Sequence, residues 1–258
     1  MKTQTILIIV LFFLFAQANI AHAQIVRFGP KVGVQASRAV YDNKEYYDRY
    51  NSNFGLGYHA GLVSNIKVSD LLSLQTEILY NQVTKRLKGI ENNDFNQEKY
   101  KFISLPVLLR VSYPIGFNQL YFNAGPNVSY WLGGNGVLQT GEIAEYNLDE
   151  LHYSIAFDQA EASENVVVVT HPNRFLLGVD VGIGAMLPIQ KHHIMLDFRY
   201  TFGHTNMAKP ETQYIDILGF DDDLNYSNHV FSFSCAYLID FDFFTLSTKG
   251  KTISTKKK

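Results

Sequence analysis

One cysteine, Cys235, stands among 258 residues. A lone thiol excludes an intrachain disulfide framework and any all-cysteine zinc site. Charge is also scarce. Charged side chains make up 18% of the chain and nearly cancel, leaving a formal −2. With no basic block in the body of the chain, a nucleic-acid binder is excluded. No stretch after the first segment has 18 consecutive apolar residues, so no membrane-spanning helix is expected there. Mean hydropathy is −0.06, far from that of a polytopic helical membrane protein. Proline occurs only 7 times. What is plentiful is apolar and aromatic: 47% of residues are hydrophobic and 14% are Phe, Tyr or Trp. Disorder is excluded on that ground.

The first segment reads as an export signal. Lys2 gives a positive start, Ile6 to Ala16 is an apolar run, and Ala21-His22-Ala23 places small residues where a signal peptidase reads. Residues 1–23 are therefore expected to be a signal peptide cleaved before Gln24. Residues 24–240 form the folded body, and 241–258 a basic tail ending in Lys256-Lys257-Lys258.

In the body the hydrophobic period is two. Leu72, Leu74, Thr76, Ile78 and Tyr80 alternate with Ser73, Gln75, Glu77, Leu79 and Asn81. Similar runs start at Leu56, Ile103, Leu120, Phe175, Ile194 and Phe231, and a weaker one covers Phe28 to Arg38. Eight strands of about ten residues suit a tilted bilayer crossing. The connections fall at 39–53, 68–70, 86–99, 113–118, 133–172, 188–192 and 205–226, so long and short alternate strictly. An up-and-down meander sends alternate connections to opposite rims. One rim then carries every long loop and the other only tight turns, marked by Ser69-Asp70, Pro114 with Gly116, and Pro188.

The fold expected is all-β: an eight-stranded antiparallel up-and-down transmembrane β-barrel with long outer loops and short periplasmic turns. A soluble lipocalin-like carrier has the same alternation turned inside out. Three features favour the membrane form. The polar faces hold Gly, Ser, Asn and Gln with isolated charges, where a water-facing surface would carry more Lys and Glu. Aromatics gather near strand ends at Tyr58, Tyr80, Tyr100, Tyr121, Tyr130, Trp131, Tyr200, Phe202, Phe231 and Tyr237, as in interfacial girdles. Small residues also suit the crowded interior of a narrow barrel. Val166 to Val169 reads as an upward extension of the sixth strand paired with Leu151 to Phe157. If it crosses the bilayer instead, the barrel has ten strands.

The stretch Gly57-Tyr58-His59-Ala60-Gly61-Leu62, then Leu74-Gln75-Thr76-Glu77-Ile78-Leu79-Tyr80, resembles the PorT-type outer-membrane β-barrel proteins of Bacteroidetes-type bacteria. So do Ile103-Ser104-Leu105-Pro106-Val107-Leu108-Leu109-Arg110, Asn123-Ala124-Gly125-Pro126 and Asp197-Phe198-Arg199-Tyr200. The resemblance implies an outer-membrane barrel with no catalytic motif to transfer. The family's namesake takes part in type IX protein secretion. The last strand departs from the usual pattern, because about 19 residues follow Ile239, with Phe241, Phe243 and Phe244 as alternative closing aromatics.

Glu77, Arg110, Asp180, Asp197 and Arg199 fall on the polar strand faces and point into one lumen, where charges must be paired. A salt-bridge network that plugs the barrel is expected, with Glu77–Arg110 as its leading pair and no open pore. His192-His193 in a turn, and His152 and His171 in the long loop, are expected to be ordinary polar residues. Asp221-Asp222-Asp223 is expected to be a solvated acidic run; it lacks the spacing of a calcium loop. No Ser-His-acid set, Walker loop, GxSxG or HExxH occurs. No enzyme activity, cofactor or metal site is expected. The expected role is a structural, adhesion or secretion-associated outer-membrane component. Its partners would be outer-membrane lipid, lipopolysaccharide and possible secretion-machinery proteins, with no nucleic acid among them. A barrel enzyme acting on lipid or peptide is the alternative within the membrane reading.

Overall fold

The computed structural model describes residues 25–90, 94–145, 148–157, 165–169, 171–208, 214–217 and 220–242. The expected signal peptide and all but the first two residues of the expected basic tail lie outside these.

Strand β1 spans Ile25–Tyr41, helix α1 Lys44–Arg49, β2 Tyr50–Lys67, β3 Leu72–Gly89, β4 Phe95–Ile115 and β5 Asn118–Gln139. Helix α2 spans Gly141–Glu145, β6 Leu151–Phe157, β7 Val166–Val169, β8 Phe175–Ile189, β9 His192–Gly203, β10 Tyr214–Ile217, β11 Phe220–Asp223 and β12 Tyr226–Asp242. Eight antiparallel strands close a ring in the order β1-β2-β3-β4-β5-β8-β9-β12, and β12 returns to β1 from Tyr41↔Tyr226 down to Ile25↔Asp242. The barrel therefore has eight strands. The Val166–Val169 run pairs with β6, in parallel, on the upper edge of β5, and does not extend β8. The last strand continues past Ile239 through Phe241 to Asp242.

The faces sort as a bilayer demands. Val107 and Val181 are 39% and 41% exposed, while Gln75 and Asp180 on the opposite faces are 0% and 1%. Outward apolar residues with inward polar ones are the reverse of a soluble carrier, which excludes the lipocalin-like alternative. Tyr58, Tyr80, Tyr130, Tyr200, Phe202, Phe231 and Tyr237 face outward as girdle residues. Tyr100, Tyr121 and Trp131 do not; all three are buried in the interior. Trp131 follows Tyr130, and with a period of two these neighbours cannot share a face.

Of the three inner turns, the last two are tighter than the sequence suggests and the first is one residue longer. They comprise Val68 to Leu71, Gly116-Phe117 and Gln190-Lys191. Gly116 and Gln190 take φ of +60° and +58°, the left-handed geometry of two-residue hairpins. Ser69 Oγ accepts from Leu72 N at 3.0 Å in the first turn. Inward glycines make room for large lumen side chains. A Cβ on Gly184 would collide with the Tyr121 ring, and one on Gly33 with the His59 ring.

The strands run far beyond the apolar belt on the outer side. Above Tyr80, β3 turns outward with Gln82, Arg86 and Lys88, yet it stays paired with β4 up to Lys88↔Phe95. Much of 39–53, 86–99 and 133–172, expected as loop, is therefore strand. The outer face there is polar and the inner face mixes apolar residues with Lys85, Asn96 and Glu98, which hides the strands from a search for a lipid-facing stripe.

Candidate functional site: a plugged lumen and a capped mouth

Three layers fill the lumen from the inner end outward. The lowest is apolar: Val63, Tyr121, Met186, Met195, Ala236 and Leu238 pack together. Arg110 lies over the Tyr121 ring at 3.4 Å from its centroid, a cation–π contact. Its Nη1 donates to Gln75 Oε1 at 3.4 Å. The expected Glu77–Arg110 pair does not form. Arg110 sits opposite Ser73, four residues from Glu77 along β3, which is roughly 13 Å of strand.

The middle layer holds the charges. Arg199 Nη2 lies 2.8 Å from Glu77 Oε1 and 3.2 Å from Asp197 Oδ1, and its Nη1 lies 3.3 Å from Asp180 Oδ2. Lys31 Nζ reaches Glu77 at 2.9 Å and Asp197 at 3.7 Å. Asn123 Nδ2 and Tyr121 O–H both donate to Asp197 Oδ2 at 2.9 Å. Glu77, Asp180, Asp197 and Arg199 thus meet as the sequence suggests. Lys31 is the member it does not announce, although Lys31 shares parity with the inward Gly33, Gln35 and Ser37. Two cations against three carboxylates, with Arg110 one layer below, gives a balanced interior of the kind a dry site requires.

Above this plug lies a cavity of about 90 Å³, walled below by Lys31, His59 and Arg199 and above by Val83, Phe102 and Val230. The buried Nε2 of His59 and Oδ1 of Asn127 have no partner within the protein. A space of that size admits several waters at roughly 10–15 Å³ each, which would satisfy them.

The top layer closes the mouth. Trp131, Tyr100, Tyr41, Tyr46, Tyr226 and Phe220 are buried together with Leu87, Leu138 and Ile143. Tyr100 meets Trp131 edge-on at 5.4 Å, and Tyr41 lies 4.4 Å from Tyr46 of α1. The β10–β11 hairpin supplies Phe220 and Asp222 to this cap. Lys85 Nζ binds both Asp222 oxygens, at 2.7 and 2.6 Å, and also meets Glu98. Tyr100 and Tyr153 hydroxyls donate to Glu98 at 2.7 and 3.0 Å.

The acidic run is thus not solvated at its centre. Asp222 and Asp223 are 0% and 1% exposed, because the hairpin folds into the mouth instead of over it. Lys85 and Glu98 escape notice for the reason given above: they lie where strand continues beneath a polar outer surface.

Burial, and then the neighbouring Glu98 carboxylate, push Asp222 up to about 8 against the pull of Lys85. A carboxyl raised on folding contributes stability that is complete at low pH and is lost as pH rises through its folded value. The cap is therefore expected to loosen progressively from about pH 4, the ordinary aspartate range, to about pH 8. Hydrogen exchange in β10–β11 should quicken over that range beyond the intrinsic rate, and Asp222→Asn should flatten the dependence.

The singled-out histidines do not converge. His193 Nε2 lies 3.0 Å from Asp240, and His192 stacks on Tyr237 at 5.3 Å. His152 meets Glu150 at 2.7 Å on the surface, and His171 takes a φ of +53°. Among the described residues no group of three His, Cys, Asp or Glu side chains is placed to hold a metal.

A closed eight-strand ring with a lipid-compatible exterior and a filled interior is the frame into which the sequence relationships fit. Residues 15–209 match the family model described as outer membrane protein beta-barrel domain. The chain belongs to this family. As a member of the outer membrane protein beta-barrel family, it is an outer-membrane protein. No curated protein sequence matches it significantly. Among solved structures it is similar to OprG from Pseudomonas aeruginosa, at 12% identity and a TM-score of 0.44, over 86% of this chain and 96% of that one. Neisserial surface protein A is similar at 11% identity and 0.39, over 83% and 97%. Ail, the attachment invasion locus protein of Yersinia pestis, is similar at 11% and 0.37, over 83% and 98%.

Proposed function

We propose that this barrel is a closed structural, adhesion or secretion-associated component of the outer membrane, acting through its outer rim and its periplasmic turns. The observation that carries the reading is the filled lumen: a charged plug at mid-height beneath an aromatic cap, with about 90 Å³ between them. Such an interior leaves no route for a hydrated solute. In planar bilayers the purified full chain is expected to give no conductance steps above background. Regular steps of a nanosiemens or so would overturn the reading.

The finer assignment to the PorT type rests on the strand motifs around Gly57 to Leu62 and Leu74 to Tyr80. With it goes a place beside type IX secretion proteins, and cross-linking in cells tests that: a secretion component captured at the periplasmic turns supports it. In the same reading residues 1–23 direct export and the mature chain starts at Gln24, which N-terminal sequencing of the membrane-extracted protein checks. Outer-leaflet lipid and lipopolysaccharide are the surroundings the apolar belt calls for. The reading includes no catalysis, since no nucleophile, base and acid converge among the described residues. An altered lipid profile in a deletion strain would argue for the enzyme alternative.

A further inference from the structure

Negative charge on the eight ring strands is segregated by place, whereas cations occur both inside the lumen and outside. Four strand acids, Glu77, Glu98, Asp180 and Asp197, point into the lumen and are 3% exposed or less. The others, Asp240 and Asp242, lie at the inner end of β12. At the outer ends of β3 and β4 every charged residue on the exterior face is a cation. Lys101 pairs across with Gln82, Lys99 with Thr84, Arg86 with Gln97 and Lys88 with Phe95. The four therefore occupy four successive outward positions of one two-stranded ribbon, at steps of roughly 7 Å. The ladder starts one step above the Tyr58–Tyr80 girdle pair, whose rings are 6.4 Å apart. Among the described residues none of the four has a carboxylate within ion-pair distance. Arg86 is steered by its neighbour, donating from Nε to Gln97 Oε1 at 2.8 Å.

The height of this ladder is informative. The head-group zone extends roughly 5–8 Å beyond the hydrocarbon on each side. Lys101 and Lys99 stand at that level, and Arg86 and Lys88 reach beyond it. The inner end of the barrel has no such bias: Lys67 pairs with Asp70 and Arg27 with Asp240. We propose that Lys101, Lys99, Arg86 and Lys88 form a docking ladder for the phosphate groups of a phosphorylated glycolipid in the outer leaflet. The inference rests on the outer-membrane reading and adds to it a surface and a ligand chemistry. Lysines and an arginine on an exposed ribbon hold phosphate by charge and multiple N–H donors. Each basic residue near an anionic membrane surface contributes about a fivefold gain in affinity.

The test uses the full chain refolded into phosphatidylethanolamine bilayers with or without diphosphoryl lipid A, and counts the lipid A retained on extraction into mild detergent. The wild type is expected to retain lipid A, and 1 M salt to strip it. The R86Q/K88Q/K99Q/K101Q variant is expected to retain at least about tenfold less while keeping its heat-modified gel mobility. If that variant does not fold, K99Q/K101Q carries the same test at the head-group level. Undiminished retention by the folded variant would overturn the proposal. So would equal retention of dephosphorylated lipid A. Competition by pyrophosphate at the same concentration as lipid A would reassign the ladder to soluble anions. Recovery of the native protein in the soluble periplasm is a different failure: it would remove the outer-membrane reading itself.

Discussion

Arg199→Ala is expected to be the most damaging single substitution in the barrel wall, lowering stability by about 3–5 kcal/mol. Among the described residues Arg199 is the one side chain that touches Glu77, Asp180 and Asp197 together. Without it Lys31 is the cation left beside three buried carboxylates beneath the small cavity. Lys31→Ala should cost less, because Glu77 and Asp197 keep the guanidinium. Arg110→Ala should also cost less than Arg199→Ala, since Arg110 has an aromatic face and two long hydrogen bonds, to Gln75 and Met195, but no ion pair among the described residues. Arg86→Ala, on the exposed ribbon, should stay within about 0.5 kcal/mol of the wild type. Urea unfolding in bilayers, followed by heat-modified mobility, ranks the four. If Arg199→Ala unfolds at the same urea concentration as Arg86→Ala, the plug is not what holds the barrel together.

The second large effect is expected at the mouth. Lys85→Met leaves Asp222 and Glu98 facing each other in an aromatic pocket with no cation, and the β10–β11 hairpin is the element free to leave. A local loss of about 3–5 kcal/mol is expected there, with a smaller change in global unfolding. Limited proteolysis between Met207 and Asn225 should accelerate by two orders of magnitude or more. The triple variant K85M/E98Q/D222N removes all three charges at similar volume and should recover most of the protection, because apolar or neutral replacements of a buried ion cluster are often tolerated. If the single and triple variants are cleaved alike, the hairpin is anchored by Phe220 and Tyr46 and not by charge.

The contrast between these two clusters explains what the amino-acid sequence reveals and what it conceals. Inside the membrane zone, lipid outside and a polar lumen inside force a period of two, so the strand faces, the strand count and four of the five central charges are legible from Glu77, Asp180, Asp197 and Arg199. Pairing is not legible at the same level. It depends on strand stagger, which places Arg110 opposite Ser73 and brings Lys31 of β1 to Glu77 two strands away. Above the girdle the outer environment becomes water and head groups, and the outward face changes to Arg86, Lys88, Lys99 and Lys101. The stripe that marks a strand then disappears although the hydrogen-bonded ladder continues. For that reason Lys85 and Glu98 read as loop residues, and Asp222 as one of three solvated aspartates.

The outer overhang of the strands has a consequence for access. At 18 to 22 residues, β2 to β5 are about twice the length a crossing needs, so a stiff collar stands above the bilayer before any irregular chain begins. Anything that approaches from outside first meets α1, α2 and the β6–β7 flap at the summit of that turret, above the lipid surface. Attachment chemistry on this protein would thus work at a distance from the bilayer, held there by a rigid stalk made from the same sheet that anchors it.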